Sequence, residues 1–443
     1  MRNRRPNLLF VFTDQQSALA VGGPEHPHVR TPAFESLANE GTTFTRSYCA
    51  APVCGPSRAC LVTGLAAHET GVRFNGNPLR EDLQTFGERI RSAGYETAWS
   101  GKWHLPKSYP TEPDAIAGFE NLVLPPTHPL LSRDIGYGWP GYALGANTDG
   151  PFVDEAIRFL SRPHERPFLL SVSLHNPHDI CWWARKPVRL PGPQALPPLP
   201  PNFEIPPDEP EFLQICRLRD HYGEELEYTA RWSDEDWRLY LHAYYRMTEA
   251  VDAEVGRLLN ALDAQGLREN TLIVLTSDHG EGMAARKWMA KLALHEEVVR
   301  VPLVVAGPGV THATSDALVS GLDLAPTFCD FAGVQPPDGA RGHSLRPLLE
   351  QRSPTTARDF LVCTLDPDDQ RPDMTARAVI SRQYKYCLFS HGPRHETLHD
   401  LIADPGEQRN LAARPEFRHV LEEHRSYWKT WQRETGDRIP QGP

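Results

Sequence analysis

Leu8-Leu9-Phe10-Val11-Phe12, closed by Thr13-Asp14-Gln15-Gln16, is a run of apolar residues that ends abruptly in a carboxylate and two amides. A half-exposed strand would alternate apolar and polar residues. A short run without alternation is the pattern of a strand buried on both faces, as in a parallel sheet covered by helices. The pattern returns at Phe168-Leu169-Leu170-Ser171-Val172-Ser173-Leu174, which ends at His175-Asn176-Pro177-His178. It returns again at Thr271-Leu272-Ile273-Val274-Leu275-Thr276, which ends at Ser277-Asp278-His279-Gly280. Open α/β sheets bind ligands beyond the carboxyl ends of their strands, so three polar strand ends predict one shared site.

Helical patterns lie between these runs. Thr31-Pro32 opens one over 33–41, with Phe34, Leu37 and Ala38 at helical spacing. Others are expected over 149–160 and, entered by Ser233-Asp234-Glu235-Asp236, over 234–262. Strands alternating with helices predict an α/β fold, a doubly wound, mostly parallel sheet flanked by helices. The proline-dense stretch 185–210 cannot be a central strand or a helix interior, and is expected to cross the surface and shape substrate access. From about 353 the texture changes to short strands (376–381 and 384–389) and a last helix over 415–435. The expected division is a catalytic domain over 1–352 and a smaller antiparallel sheet plus helix over 353–443.

The 443 residues carry 40% hydrophobic and 23% charged side chains, ordinary for a globular protein, and a net charge of −11. A broad grip on nucleic acid is excluded by that charge, so an anionic ligand must meet a local cluster of cations. Eight cysteines show neither metal-finger spacing nor the density of a disulfide framework, and free thiols are expected. The basic start Met1-Arg2-Asn3-Arg4-Arg5 precedes an apolar run shorter than the ~7–15 residues of a secretory core. No run approaches the ~18 residues of a membrane span. A cytoplasmic location without membrane attachment is the expectation.

The chemistry centres on Cys54-Gly55-Pro56-Ser57-Arg58, followed by Leu61-Val62-Thr63-Gly64. Cysteine, proline two on, arginine four on and the Leu-x-Thr-Gly extension resemble the signature of the type I sulfatases, within the alkaline-phosphatase-like superfamily. The resemblance implies that Cys54 is oxidised to formylglycine by a formylglycine-generating enzyme. The hydrated aldehyde then offers one hydroxyl to attack sulfur and another to expel sulfate. Arg58 would hold the formylglycine oxygens and the neighbouring carboxylates.

A sulfate ester also needs its charge offset by a hard cation on oxygen ligands. Asp14 and Gln15 at one strand end, Asp278 and His279 at another, match the family's metal set, with Cys54 as the remaining ligand. Two departures stand out. Gln15 stands where a second aspartate is usual, and His279 supplies imidazole, a poor calcium ligand. Calcium is the expected ion, with magnesium and manganese as alternatives. Lys102 and His104 lie two apart in Gly101-Lys102-Trp103-His104, so in an extended segment both face one site. The resemblance assigns Lys102 to formylglycine and sulfate, and His104 to a proton of the formylglycine hydroxyl. His178, with His175 as competitor, would face the leaving oxygen. Lys291, upstream of Glu296-Glu297-Val298-Val299-Arg300-Val301-Pro302, would bind sulfate, and Lys287 would be its solvated neighbour.

The implied activity is hydrolysis of a small anionic sulfate ester, with a carbohydrate sulfate the first substrate class and Trp182-Trp183 a candidate sugar platform. Two rivals remain: a phosphonate monoester or phosphodiester hydrolase of the same fold, and a catalytically silent binding protein with Cys54 unmodified.

Overall fold

The strands of the main sheet meet at the middle, where β1 (Asn7–Asp14) lies between two long parallel neighbours. The remaining strands in chain order are β2 (Thr42–Phe44), β3 (Ser47–Tyr48), β4 (Glu96–Gly101), β5 (Glu120–Asn121), β6 (Phe168–Pro177), β7 (Thr271–Ser277), β8 (Leu303–Ala306), β9 (Ala313–Ser315) and β10 (Val319–Ser320). Four more follow: β11 (Phe360–Leu365), β12 (Ala376–Ser381), β13 (Tyr384–Phe389) and β14 (Glu396–Asp400). These elements belong to a computed structural model that describes residues 5–23, 26–108, 110, 112–123, 149–185, 196–218, 227–351 and 358–439.

The eight-stranded sheet has the order β5-β4-β6-β1-β7-β8-β2-β9. Of these, β8 runs against both of its neighbours, and the other pairings are parallel. The side chains of β1 divide strictly by parity. Leu8, Phe10 and Phe12 enter one core cluster, with Phe86, Ala325 and Phe328 from helices on that face. Leu9 and Val11 enter the other, with Phe34, Val153, Val255 and Leu258. Burying each such side chain contributes about 1.5–3 kcal/mol, so a strand apolar on every residue is stable only between two helical layers.

The helices expected over 33–41, 149–160 and 234–262 form as α1 (Pro32–Glu40), Gly150–Ser161 and Asp234–Ala264. The last is entered as its sequence predicts, with Ser233 Oγ accepting the Asp236 amide hydrogen and Asp236 returning to the Ser233 amide. Among the described residues no helix is long and apolar enough to cross a membrane.

The expected boundary between 352 and 353 lies outside the described residues. Beyond it, β11-β12-β13-β14 is an antiparallel meander. Its alternate residues again face two ways. Leu361, Cys363, Ala376, Ala378 and Ile380 pack on Tyr48, Cys49 and Val53 of the main body. Val362, Val379 and Tyr386 pack on Val420, Leu421 and Trp428 of the helix Arg418–Thr435. The second sheet therefore backs directly onto the segment that leads to Cys54.

Part of the proline-dense segment, 186–195, lies outside the described residues. From 196 to 210 it forms neither helix nor strand, and its residues 197–202 line a cavity of about 730 Å³ with Leu19, Tyr245 and Met283. None of the candidate catalytic residues borders that cavity.

Candidate active site

The helix α2 (Cys54–Thr63) begins on the cysteine itself, and all ten of its residues are buried. Its first turn points at the carboxyl ends of β1 and β7. In-register pairing sets those ends level: Thr13 lies opposite Ser277, and the Asp278 amide donates to the Thr13 carbonyl at 3.1 Å. Asp14 and Asp278 thereby come to one point.

Arg58, one turn along α2, ties them together. Its Nη2 donates to Asp14 Oδ2 at 2.8 Å and its Nε to Asp278 Oδ2 at 3.0 Å, with all three side chains fully buried. Its Nη1 reaches Ser173 Oγ and the Lys102 carbonyl, each at 2.7 Å. The planar fork makes these contacts simultaneously, which a lysine could not. Removing one partner from such a buried pair typically costs 3–5 kcal/mol, roughly the charge left stranded.

With their Oδ2 atoms held by Arg58, the carboxylates present Oδ1 to a common space. Asp278 Oδ1 lies 3.7 Å from His279 Nε2, and Asp14 Oδ1 4.0 Å from it. Cys54 Sγ is 3.2 Å from His279 Nε2 and 3.5 Å from Asp14 Oδ1. These four ligand atoms all lie within 4.8 Å of one another. His279 is oriented from behind: Nδ1 donates to the Gly280 carbonyl at 2.9 Å, so in the neutral imidazole the Nε2 lone pair faces the cradle. Two carboxylate oxygens and an imidazole lone pair converging in a dry site need a cation between them, so the residues fit a divalent metal.

Cations ring the other side of Cys54. Lys291 Nζ donates to its Sγ at 2.9 Å, and Lys102 Nζ to Asp14 Oδ2 at 2.7 Å. Burial and Asp14 push the Cys54 thiol up, but Lys291, Lys102 and His279 outweigh them and leave it below its ordinary value. Burial likewise opposes ionisation of Asp14, yet Lys102, Arg58 and Lys291 hold it well below the carboxylate range. Both histidines behave oppositely. Burial first, then Lys102 and Arg58, keep His104 neutral; burial, Lys102 and Lys291 do the same for His178.

The structure brings together Asp14, Gln15, Cys54, Arg58, Lys102, His104, His178, Asp278, His279 and Lys291, with one correction of geometry. Lys102 and His104 do not lie in an extended segment. β4 ends at Gly101 with φ +102, where a Cβ would sit 2.0 Å from the Ser173 carbonyl oxygen, and His104 itself has φ 65. The chain turns sharply, and His104 reaches the cluster through that turn. His175 is half-buried and paired with Asp179 at 3.2 Å, whereas His178 is buried against the lysines. Lys287 is 38% exposed and pairs with Glu204, as expected of a solvated neighbour. Trp183 is core, not a sugar platform; Trp182 is half-buried with the Arg185 guanidinium over its ring at 4.7 Å. All eight cysteines are free and buried.

Gln15 does not simply offer its oxygen to the cradle. Its Oε1 accepts from Lys291 Nζ at 3.0 Å, and its Nε2 donates to Glu281 Oε2 at 2.5 Å. Glu281 was not singled out from the sequence, although it stands two residues beyond His279. Asn75, whose Oδ1 accepts the Gly55 amide hydrogen at 2.8 Å, and Ser173 were also missed. Their surroundings in sequence carry no chemical pattern, because each acts by touching a backbone or side chain brought from elsewhere.

A family model described as Sulfatase matches residues 6–334, and one described as N-sulphoglucosamine sulphohydrolase, C-terminal, matches 284–433. The chain is similar to a delta 4,5-hexuronate-2-O-sulfatase of Bacteroides thetaiotaomicron, 29% identical over 95% of this chain and 88% of that protein. It superposes on the solved structure of a 2-O GAG sulfatase with a TM-score of 0.83, at 28% identity over 99% of this chain and 96% of the other. It also superposes on a phosphonate monoester hydrolase of Agrobacterium radiobacter, with a TM-score of 0.81 at 26% identity over 97% and 96% of the two chains. With a Sulfatase match running from the start of β1 past β10, and Cys54 seated among paired carboxylates and lysines, this chain belongs to the sulfatase family of the alkaline-phosphatase-like superfamily.

Proposed function

We propose that the protein hydrolyses a sulfate ester to an alcohol and inorganic sulfate, with residue 54 as nucleophile after conversion of Cys54 to formylglycine by a formylglycine-generating enzyme. The observation that carries this reading is the seat of Cys54: the first residue of α2, within hydrogen-bond reach of Lys291 and beside the Asp14, Asp278 and His279 cradle.

Hydrated formylglycine would supply two hydroxyls on one carbon, one to attack sulfur and the other to lose its proton, re-form the aldehyde and so expel sulfate with the oxygen that attacked. Asp14, Asp278, His279 and residue 54, with Gln15 adjacent, would hold a divalent cation, which would supply positive charge to the nucleophilic oxygen at position 54. The chain's own residues do the rest. Lys102 and Lys291 neutralise the sulfate oxygens as charge builds, in a site too dry for water to compete. Arg58 keeps both carboxylates aimed at the cradle. His104, neutral and buried, accepts a proton from a hydroxyl at position 54. His178 donates one to the departing oxygen as the S–O bond breaks. Burial first, and then the Lys102 and Lys291 charges, keep free His178 neutral; a bound sulfate ester offsets those two charges and so favours the protonated imidazole that the leaving oxygen needs.

Two carboxylates suit calcium, magnesium or manganese, while the imidazole is a poor calcium ligand, and metal analysis of the purified protein separates the three. For substrate we propose a carbohydrate sulfate, on the likeness to a hexuronate-2-O-sulfatase. Rates on sulfated mono- and disaccharides, choline sulfate, an aryl sulfate and an aryl phosphonate ester test this. Fastest turnover of the phosphonate overturns the reaction class, and fastest turnover of choline or aryl sulfate overturns the substrate class. The intact mass of the Cys54 peptide tests the modification, since the aldehyde is lighter than the thiol it replaces. Unmodified Cys54, with no turnover of any of these esters, returns the protein to the binding class.

A further inference from the structure

Position 15 places an amide beside the cation cradle, and that amide is committed on both sides. Lys291 is an ammonium with donors only, so the Gln15 atom facing it must be the oxygen. The atom facing Glu281 is then the nitrogen, a donor. Glu281 is fully buried. Its Oε1 collects the Tyr240 hydroxyl and the backbone amides of Gly282 and Ala290. The Gln15 amide nitrogen and the two backbone amides can only donate, so the Glu281 carboxyl accepts from all three. A fixed acceptor therefore stands behind Gln15, tied to its amide nitrogen by a 2.5 Å hydrogen bond.

We propose that Glu281 is a positioning residue for the cation site: by accepting from Gln15 Nε2 it fixes Gln15 Oε1 toward Lys291 and the cradle. The inference rests on the reading of that cradle as a cation site. It explains how a glutamine serves there. The amide is held from behind by a buried acceptor, and it cannot flip without setting its nitrogen against Lys291 and its oxygen against Glu281. Partners of this kind behind a metal ligand typically change metal affinity by about 10–100-fold when removed.

The test is calorimetric titration of the full-length protein with Mn²⁺ and, separately, Ca²⁺, with circular dichroism to establish folding. Glu281→Gln should bind the metal about 10–100-fold more weakly than wild type. Gln15→Glu, which sets two carboxylates against each other at hydrogen-bond distance, should also bind more weakly. The double variant Gln15→Glu/Glu281→Gln restores one carboxylate and one amide of the same lengths, with every donor still met. It should bind more tightly than either single variant. A merely structural Glu281 predicts no such rescue. Folded Glu281→Gln with wild-type affinity overturns the proposal, and so does a folded double variant no better than Gln15→Glu. If neither variant carrying Glu281→Gln folds, Gln15→Glu decides: equal or tighter binding than wild type overturns the proposal, weaker binding supports it. Wild-type protein that takes up neither metal removes the cation site itself, an outcome distinct from failure of the Glu281–Gln15 coupling.

Discussion

Cys54 and the two neutral histidines show how much of this site's chemistry is set by neighbours. His178 and His104 are the same residue type, both depressed by burial and then by Lys102, yet the proposed mechanism gives them opposite proton transfers. Leaving-group dependence separates them. His178→Ala should lose about 10²–10⁴-fold in kcat on alkyl or sugar sulfates, whose oxygen needs a proton to depart. On nitrophenyl sulfate, a leaving group stable as its anion, the loss should be far smaller. His104→Ala should lose rate equally on both, because its proton comes from the hydroxyl at position 54 and not from the substrate. A rate series over leaving groups of graded acidity checks both expectations. Parallel losses in His178→Ala would assign it to sulfate positioning instead.

The second sheet is held to the catalytic body by ions as well as by apolar packing. Lys385 on β13 is fully buried between Glu407, at 2.7 Å, and Glu296, at 3.1 Å. Arg286 reaches the same Glu407 at 3.0 Å and Glu297 at 3.1 Å. Burial pushes the Glu407 carboxyl up, but Lys385 and Arg286 outweigh it and hold it well below the usual range. A depressed carboxylate adds stability that is fully present above its unfolded pKa, about 4.3, and is lost as pH falls through the folded value. Glu407→Gln should therefore cost about 3–5 kcal/mol at pH 7, the cost of leaving two buried cations short of a partner. Its deficit relative to wild type should shrink below pH 4. Urea midpoints measured at both pH values check this, and a deficit independent of pH would place the effect in packing.

Legibility at this scale followed burial pattern. β1, β6 and β7 were readable because an apolar run broke sharply into polar residues, and the helix Asp234–Ala264 because its amphipathic stripe had a capped start. The helices Cys54–Thr63 and Leu324–Ala332 were not, because each is buried on nearly every side and shows no stripe to read. In the site, residue types and order were legible, but the turn that delivers His104 and the Glu281 behind Gln15 were not. Both depend on contacts between segments far apart in sequence.

At the scale of the whole molecule, a chain of net charge −11 concentrates Arg58, Lys102 and Lys291 around one cysteine, so its anion site is local and enclosed. The carboxylates that balance those cations belong to β1 and to the turn after β7, which begin the chain and lie deep in its second half. A cation between them joins segments 264 residues apart, and its binding energy is then stability of the native fold. At a free concentration of 100 times Kd, a ligand that binds only the folded state adds about 2.7 kcal/mol. Scanning calorimetry should show a melting temperature that rises with Mn²⁺ or Ca²⁺ and falls on chelation. Asp278→Ala should melt below wild type even without metal, because it strips Arg58 of a buried partner. The informative quantity is therefore the metal-dependent increment, which should vanish in that variant while the folded spectrum is retained. An undiminished increment in Asp278→Ala would place the cation elsewhere in the molecule.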